Sequence, residues 1–125
     1  MSLRVFVTGA CGFVGKALCQ QLIDHQCEVF AGMRAAPRLR DWPASFHPVA
    51  TGDLSMQTLP REALQPMDIV VHLASRVHVM QENEADPLAT FRRINVDATL
   101  NLARAAAAAG VRRFVFVSSV KVNGE

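Results

Sequence analysis

Thr8-Gly9-Ala10-Cys11-Gly12-Phe13-Val14-Gly15 is the stretch on which the reading of this chain turns. Before it, Leu3 to Thr8 is a short, β-branched apolar run of the kind that forms a strand buried on both faces. After it, from Gly15 to His25, Ala17, Leu18, Leu22 and Ile23 recur at helical spacing. The Gly-x-x-Gly-x-x-Gly pattern differs by one residue from the Gly-x-Gly-x-x-Gly fingerprint, and the mechanics are the same. One glycine permits the tight turn, a second lets a pyrophosphate approach the backbone, and a third lets helix pack close to strand. The helix N-terminus then offers free N–H groups and a partial positive charge to the phosphates. Three glycines can also make a plain tight turn. The strand before and the helix after are the context that favours a phosphate site.

Working outward, Glu28 to Met33 predicts a second strand. From Arg34 to Pro48 the pattern dissolves among Pro37, Pro43 and Pro48, with a short third strand near Phe46 to Val49. Asp53 or Ser55 can cap a helix running to about Leu64, which Gln65-Pro66 would stop. Asp68 to Leu73 predicts another buried strand. The longest helix is expected over Asp86 to Ala109, with Pro87 in its first turn and Gly110 as its stop. Leu88, Phe91, Asn95, Ala98, Leu102 and Ala105 share one face of it. Arg112 to Ser118 is the fifth strand. Strands that alternate with helices across short connections predict a parallel sheet covered on both sides. The expected architecture is a Rossmann-like, doubly wound α/β sheet of about five strands in order 3-2-1-4-5.

Composition narrows the function classes. The 125 residues suit one domain, with 50% hydrophobic and 19% charged residues, which excludes a disordered chain. Thirteen Lys plus Arg against 11 Asp plus Glu leave a formal charge of +2, too small to argue for nucleic acid or an anionic membrane. No apolar run approaches the ~18 residues of a membrane span. Leu3-Arg4-Val5 at the start is unlike a signal peptide. Cys11, Cys19 and Cys27 show no metal-ligand spacing and read as reduced thiols in a cytoplasmic protein.

Four further stretches, with the glycine turn, carry a resemblance. They are Gly52-Asp53-Leu54, His72-Leu73-Ala74-Ser75, Ile94-Asn95-Val96-Asp97-Ala98-Thr99, and Phe116-Val117-Ser118-Ser119-Val120-Lys121-Val122-Asn123-Gly124. In this order they resemble the extended short-chain dehydrogenase/reductase superfamily, and within it the nucleotide-sugar epimerases and dehydratases of the UDP-glucose 4-epimerase type. The resemblance runs the whole chain but covers less than half of such an enzyme. Residues 1–125 would then be the N-terminal part of a dinucleotide-binding domain.

The resemblance implies roles residue by residue. Gly9, Cys11, Gly12, Phe13, Val14 and Gly15 form the cofactor loop, with Cys11 a small filler. Asp53 would accept from the adenine amine and Leu54 would pack on the ring, although Asp53 can equally be a helix cap. Leu73, Ala74 and Ser75 sit where the strand order reverses, the place where open parallel sheets gather ligands. His72 reads more simply as a buried, hydrogen-bonded strand residue than as a base. Asn95 lies on the apolar helix face, where an unmatched polar group costs on the order of 1–3 kcal/mol. It is either solvated at a helix irregularity or bonds backbone beneath the active site. Val117 and Ser118 would line the cofactor. Ser119 would hold the reacting sugar hydroxyl, or merely satisfy backbone at a strand end. Asn123 replaces the more common tyrosine of this ending, a change similar to a Ser-Ser-x-Lys-Val-Asn-Gly-Glu subgroup of bacterial epimerases.

The cofactor's 2′ position is contested. Arg34, with Arg38 and Arg40 and no carboxylate before Asp41, leans toward NADP, since arginine accommodates the 2′-phosphate. The epimerase resemblance leans toward NAD, which is the expectation. In that family a tyrosine, its pKa lowered by a lysine, acts as base while the sugar passes hydride to nicotinamide. This chain contains no tyrosine. It is therefore expected to be catalytically incomplete, with a nucleotide-sugar as substrate only of a longer parent protein. A non-catalytic nucleotide-sensing or partner-binding module is the alternative. The fifth strand would present an apolar edge to a second copy of the chain, possible as a homodimer.

Overall fold

The computed structural model describes residues 2–35, 43–54, 56, 58–73 and 87–117, with backbone alone at 87, 88 and 90–94. Ala74, Ser75, Ser118 and Ser119, named above as site residues, lie outside the described residues. So do Arg38, Arg40, Asp41, Ser55 and Asn123.

Among the described residues five strands are formed: β1 (Arg4–Thr8), β2 (Glu28–Met33), β3 (Phe46–Ala50), β4 (Ile69–His72) and β5 (Arg113–Phe116). The helices described between them are α1 (Phe13–Asp24), α2 (Arg61–Leu64) and α3 (Pro87–Ala109). The sheet order is β3-β2-β1-β4-β5 and every pairing is parallel, as the alternation of elements predicts. Thr8 lies opposite Gly32 on one side and His72 on the other, so β1 is the central strand.

Side-chain alternation in β1 builds a core on each side of the sheet. Val5 and Val7 pack with Ala10, Cys19, Cys27, Val29, Ala31 and Val71, against Leu18, Leu22 and Ile23 of α1. Phe6 points the other way, into Leu54, Leu59, Leu64, Met67, Val70, Leu102, Ala105 and Ala106. Phe6, Leu64 and Leu102 are 1%, 0% and 2% exposed, and removing each from water contributes about 2 kcal/mol. The stripe Ala98, Leu102, Ala105 of α3 faces this second core as its spacing predicts. Gly110, at φ +82°, closes α3 while the Val111 amide donates to the Ala106 carbonyl at 3.0 Å.

The segment from Asp53 to Leu64 corrects the sequence reading. The expected helix capped by Asp53 or Ser55 does not form; among the described residues of this segment only Arg61–Leu64 is helical, and Pro60 stands at its N-cap with φ −63° and ψ 148°. Proline has no N–H to give a helix and forces the residue before it out of the α region, so Leu59-Pro60 ends any helix begun upstream. Leu54 and Leu59 still reach the core, each 8% exposed, from irregular backbone. Strand β5 is likewise shorter than the Arg112–Ser118 expected for it. It stands at the edge of the sheet among the described residues, with Val115, Phe116 and Val117 at 43%, 53% and 49% exposure.

A candidate dinucleotide site along the carboxyl ends of the strands

The strand order converts scattered sequence positions into a row. From one edge to the other, the carboxyl ends of β3, β2, β1, β4 and β5 are followed by Asp53, Arg34, Gly9 to Gly12, Leu73 and Val117. Four inter-strand steps of ~4.8 Å make this row roughly 19 Å long. The strand order reverses between β1 and β4, the switch point at which such sheets form a crevice.

The three glycines of the turn have different reasons to be glycine. Gly9 sits at φ +67°, in the left-handed region where a Cβ is strained. A Cβ on Gly15 would run into the Gly9 carbonyl oxygen and lie 2.8 Å from Ala10 Cα, so α1 can approach the turn only without a side chain there. Gly12 is different. Its φ of −77° is ordinary, it is exposed, and a Cβ on it would meet only the Gly9 oxygen at 3.4 Å. Among the described residues nothing requires glycine at position 12.

Gly12 is the N-cap of α1, without a side-chain capping hydrogen bond and with no acidic residue in the first turn. The uncapped N–H groups and the dipole of a 12-residue helix therefore face outward at this point. Phe13 and Val14 flank it at 93% and 56% exposure, and Cys11 is exposed beside it. All three cysteines are free. Burial pushes the Cys19 thiol up to about 11, which makes that sulfur an inert core atom.

At the far end of the row, the Gly52 amide donates to the Arg34 carbonyl at 3.1 Å, which sets the exits of β2 and β3 side by side. The Arg34 guanidinium lies 3.7 Å from the Asp53 carboxylate, at 78% and 39% side-chain exposure. Asp53 is thus no helix cap; its carbonyl accepts from the Met56 amide at 3.0 Å in a turn. Leu54, 8% exposed, belongs mainly to the core and offers the row only its outermost atoms.

At the centre, His72 is 1% exposed and hydrogen-bonded, as its strand neighbours predict. Its Nδ1 lies 2.7 Å from Thr8 Oγ1, and its Nε2 lies 3.1 Å from Thr99 Oγ1. Thr8 Oγ1 also accepts the Leu73 amide at 3.0 Å, and Thr99 donates to the Asn95 carbonyl at 2.8 Å. Burial lowers the His72 pKa from 6.5, which favours the neutral ring at neutral pH. Asn95 is half-buried, and its carbonyl, by accepting from Thr99, joins it to His72 at the end of β4. The side chains of Thr8 and Thr99 were given no role from sequence, although both lie in the quoted motifs. The Val117 amide donates to the His72 carbonyl at 3.3 Å, which places the end of β5 against the same point. Among the described residues no group of three or more His, Cys, Asp or Glu could hold a metal, and no helix is long and apolar enough to cross a membrane.

Known proteins resemble this arrangement. A UDP-glucose 4-epimerase of Vibrio cholerae is 39% identical over all of this chain, which spans 37% of that enzyme's length. A UDP-glucose 4-epimerase of Klebsiella pneumoniae is 33% identical, with 98% of this chain matching 94% of that one. The crystal structure of a short-chain dehydrogenase/reductase superfamily protein from Agrobacterium tumefaciens with bound NAD superposes with a TM-score of 0.67 at 29% identity, over 97% of this chain and 34% of that one. Residues 5–125 match the profile of one family. The chain belongs to the NAD dependent epimerase/dehydratase family.

Proposed function

We propose that the chain binds NAD along this row and supplies the dinucleotide-binding part of a nucleotide-sugar epimerase or dehydratase. The observation that carries the reading is Gly12: a glycine that neither its backbone conformation nor packing among the described residues requires, at an uncapped helix N-terminus. A surface that must stay bare for something outside the chain accounts for it. The Gly12 amide is taken by the Gly9 carbonyl at 3.1 Å, so the pyrophosphate would lie on the amides of Phe13 and Val14, where its charge meets the helix dipole. The adenosine half would extend over Arg34 toward Asp53, and the nicotinamide half over Leu73 and Val117. The bound relative from Agrobacterium supports NAD as the dinucleotide, and Arg34 keeps NADP as the competitor to test.

NAD held there supplies reversible hydride acceptance from a sugar carbon, the redox step that lets a stereocentre be reset or water be lost. Ser119 would position the sugar hydroxyl. These 125 residues contain no tyrosine to act as the base, so on this reading they bind cofactor without by themselves completing the reaction. The two epimerase relatives support the nucleotide-sugar as substrate class. Free thiols fit a reducing, cytoplasmic setting. The exposed edge of β5 supports contact with a second copy.

Titration of the chain with NAD and with NADP by calorimetry, repeated on Gly12→Val, tests the reading. The variant should unfold within about 1 kcal/mol of the parent, because its Cβ meets no crowding. It should lose at least about tenfold in affinity, a loss of 1.4 kcal/mol. Unchanged affinity in a folded Gly12→Val protein would place the dinucleotide elsewhere.

A further inference from the structure

Three elements that each carry a residue of the proposed site meet at one buried histidine. Thr8 ends β1 and opens the glycine turn, His72 ends β4 just before Leu73, and Thr99 lies one helical turn beyond Asn95 on α3. Proton counting fixes the direction of every bond between them. A backbone carbonyl can only accept, so the single Thr99 hydroxyl proton goes to the Asn95 carbonyl at 2.8 Å. Toward His72, Thr99 Oγ1 can then only accept, and the ring must carry its proton on Nε2, 3.1 Å away. A neutral ring protonated on Nε2 has a lone pair on Nδ1, so the Thr8 hydroxyl donates to it at 2.7 Å. With its proton so committed, Thr8 Oγ1 presents a lone pair to the Leu73 amide at 3.0 Å.

We propose that Thr99, His72 and Thr8 are positioning residues forming one directed hydrogen-bond relay, which carries the orientation of α3 to the Leu73 amide and so sets how the chain leaves β4 at the centre of the row. The inference deepens the dinucleotide reading and rests on it for its effect on binding. Its geometry stands without it. The relay runs where the sheet ladder ends: β1 turns away at Gly9, and a side-chain hydroxyl takes the Leu73 N–H in place of a further strand residue. Phe114 and Phe116 cover the ring, with centroids 6.4 and 5.8 Å from it, so water does not compete for the imidazole.

The test compares Thr99→Val, which keeps the shape and removes the acceptor, with Thr99→Ser, which keeps the hydroxyl. In uniformly 15N-labelled parent protein, a long-range proton–nitrogen spectrum should find His72 protonated on Nε2. Exchange of the Leu73 amide should be faster by about tenfold in Thr99→Val and return to within about threefold of the parent in Thr99→Ser. The Val29 amide, bonded to the Ser45 carbonyl at 2.8 Å, is the control. General destabilisation speeds both amides alike, whereas the relay speeds Leu73 alone.

A ring protonated on Nδ1 in the parent overturns the proposal without any variant. Equal acceleration of Leu73 and Val29 overturns it too. NAD titration supplies the functional arm: Thr99→Val should bind about three- to tenfold more weakly and Thr99→Ser nearly as the parent. A loosened Leu73 with unchanged NAD affinity refutes the positioning role. A parent that binds no NAD refutes the cofactor reading instead, and the relay is then judged on the spectrum and the amides.

Discussion

The inside and the outside of the row are built on opposite principles. Inside, the chain satisfies itself: Gly15 is closed against Ala10, His72 is bonded through both nitrogens, and Leu73 has its acceptor. Outside, a side chain on Gly12 would meet only the Gly9 oxygen among the described residues, Phe13 is 93% exposed, α1 has no capping side chain, and the exposed Arg34 and Asp53 stand 3.7 Å apart. The inside bears the weight of the fold, and the outside is shaped for a charged, flat, extended guest. Substitutions should therefore divide cleanly between stability and binding.

Gly15→Ala should show the largest effect. Its methyl group would collide with backbone of Gly9 and Ala10, which cannot swing aside as a side chain can. We expect a loss of about 3 kcal/mol or more, the upper end for overpacking, read as a lowered urea midpoint or as failure to accumulate folded protein. Gly12→Val lies three residues away and should barely move that midpoint while weakening NAD. If the two glycines behaved alike in stability, the distinction between inside and outside would be wrong.

His72 offers a milder test of the interior. Burial lowers its folded pKa, whereas in the unfolded chain it titrates near 6.5. The unfolded state thus binds the extra proton first. The contribution is fully present above about pH 6.5 and is lost as pH falls from there toward the folded pKa, at up to about 1.4 kcal/mol per unit. Other groups titrate across this range, so the measurement is the difference in slope between the parent and His72→Gln. Parallel pH profiles of the urea midpoint would mean that the ring is not held neutral.

What was legible in the sequence follows the same division. Strand β1, the turn and α1 are local patterns, readable from residues within one or two turns of each other. Parallel pairing followed from the alternation of elements, and the strand order from the Rossmann-like architecture expected with it. The segment after Asp53 was misread because its capping residues and apolar positions suit a helix, while Pro60 decides against one. The relay was not legible at all. Thr8 and His72 are 64 residues apart and His72 and Thr99 are 27 apart, and no periodicity links a hydroxyl to an imidazole over such distances.

Arg34 and Asp53 mark the smallest and sharpest test. In sequence Arg34 pointed to a 2′-phosphate, and the structure sets it beside a carboxylate instead. At 3.7 Å and with both groups exposed, the pair is screened, so Asp53→Asn should change stability by less than about 0.5 kcal/mol. Its effect on nucleotide choice should be larger. The carboxylate opposes a phosphate at the same guanidinium, so removing it should raise affinity for NADP relative to NAD by about three- to tenfold. Arg34→Ser should move the ratio the other way, and raised salt should compress both shifts. A ratio indifferent to both substitutions would mean that the ribose lies beyond the reach of this pair. The outer end of the row would then have to be redrawn, while Gly12 kept its place at the centre.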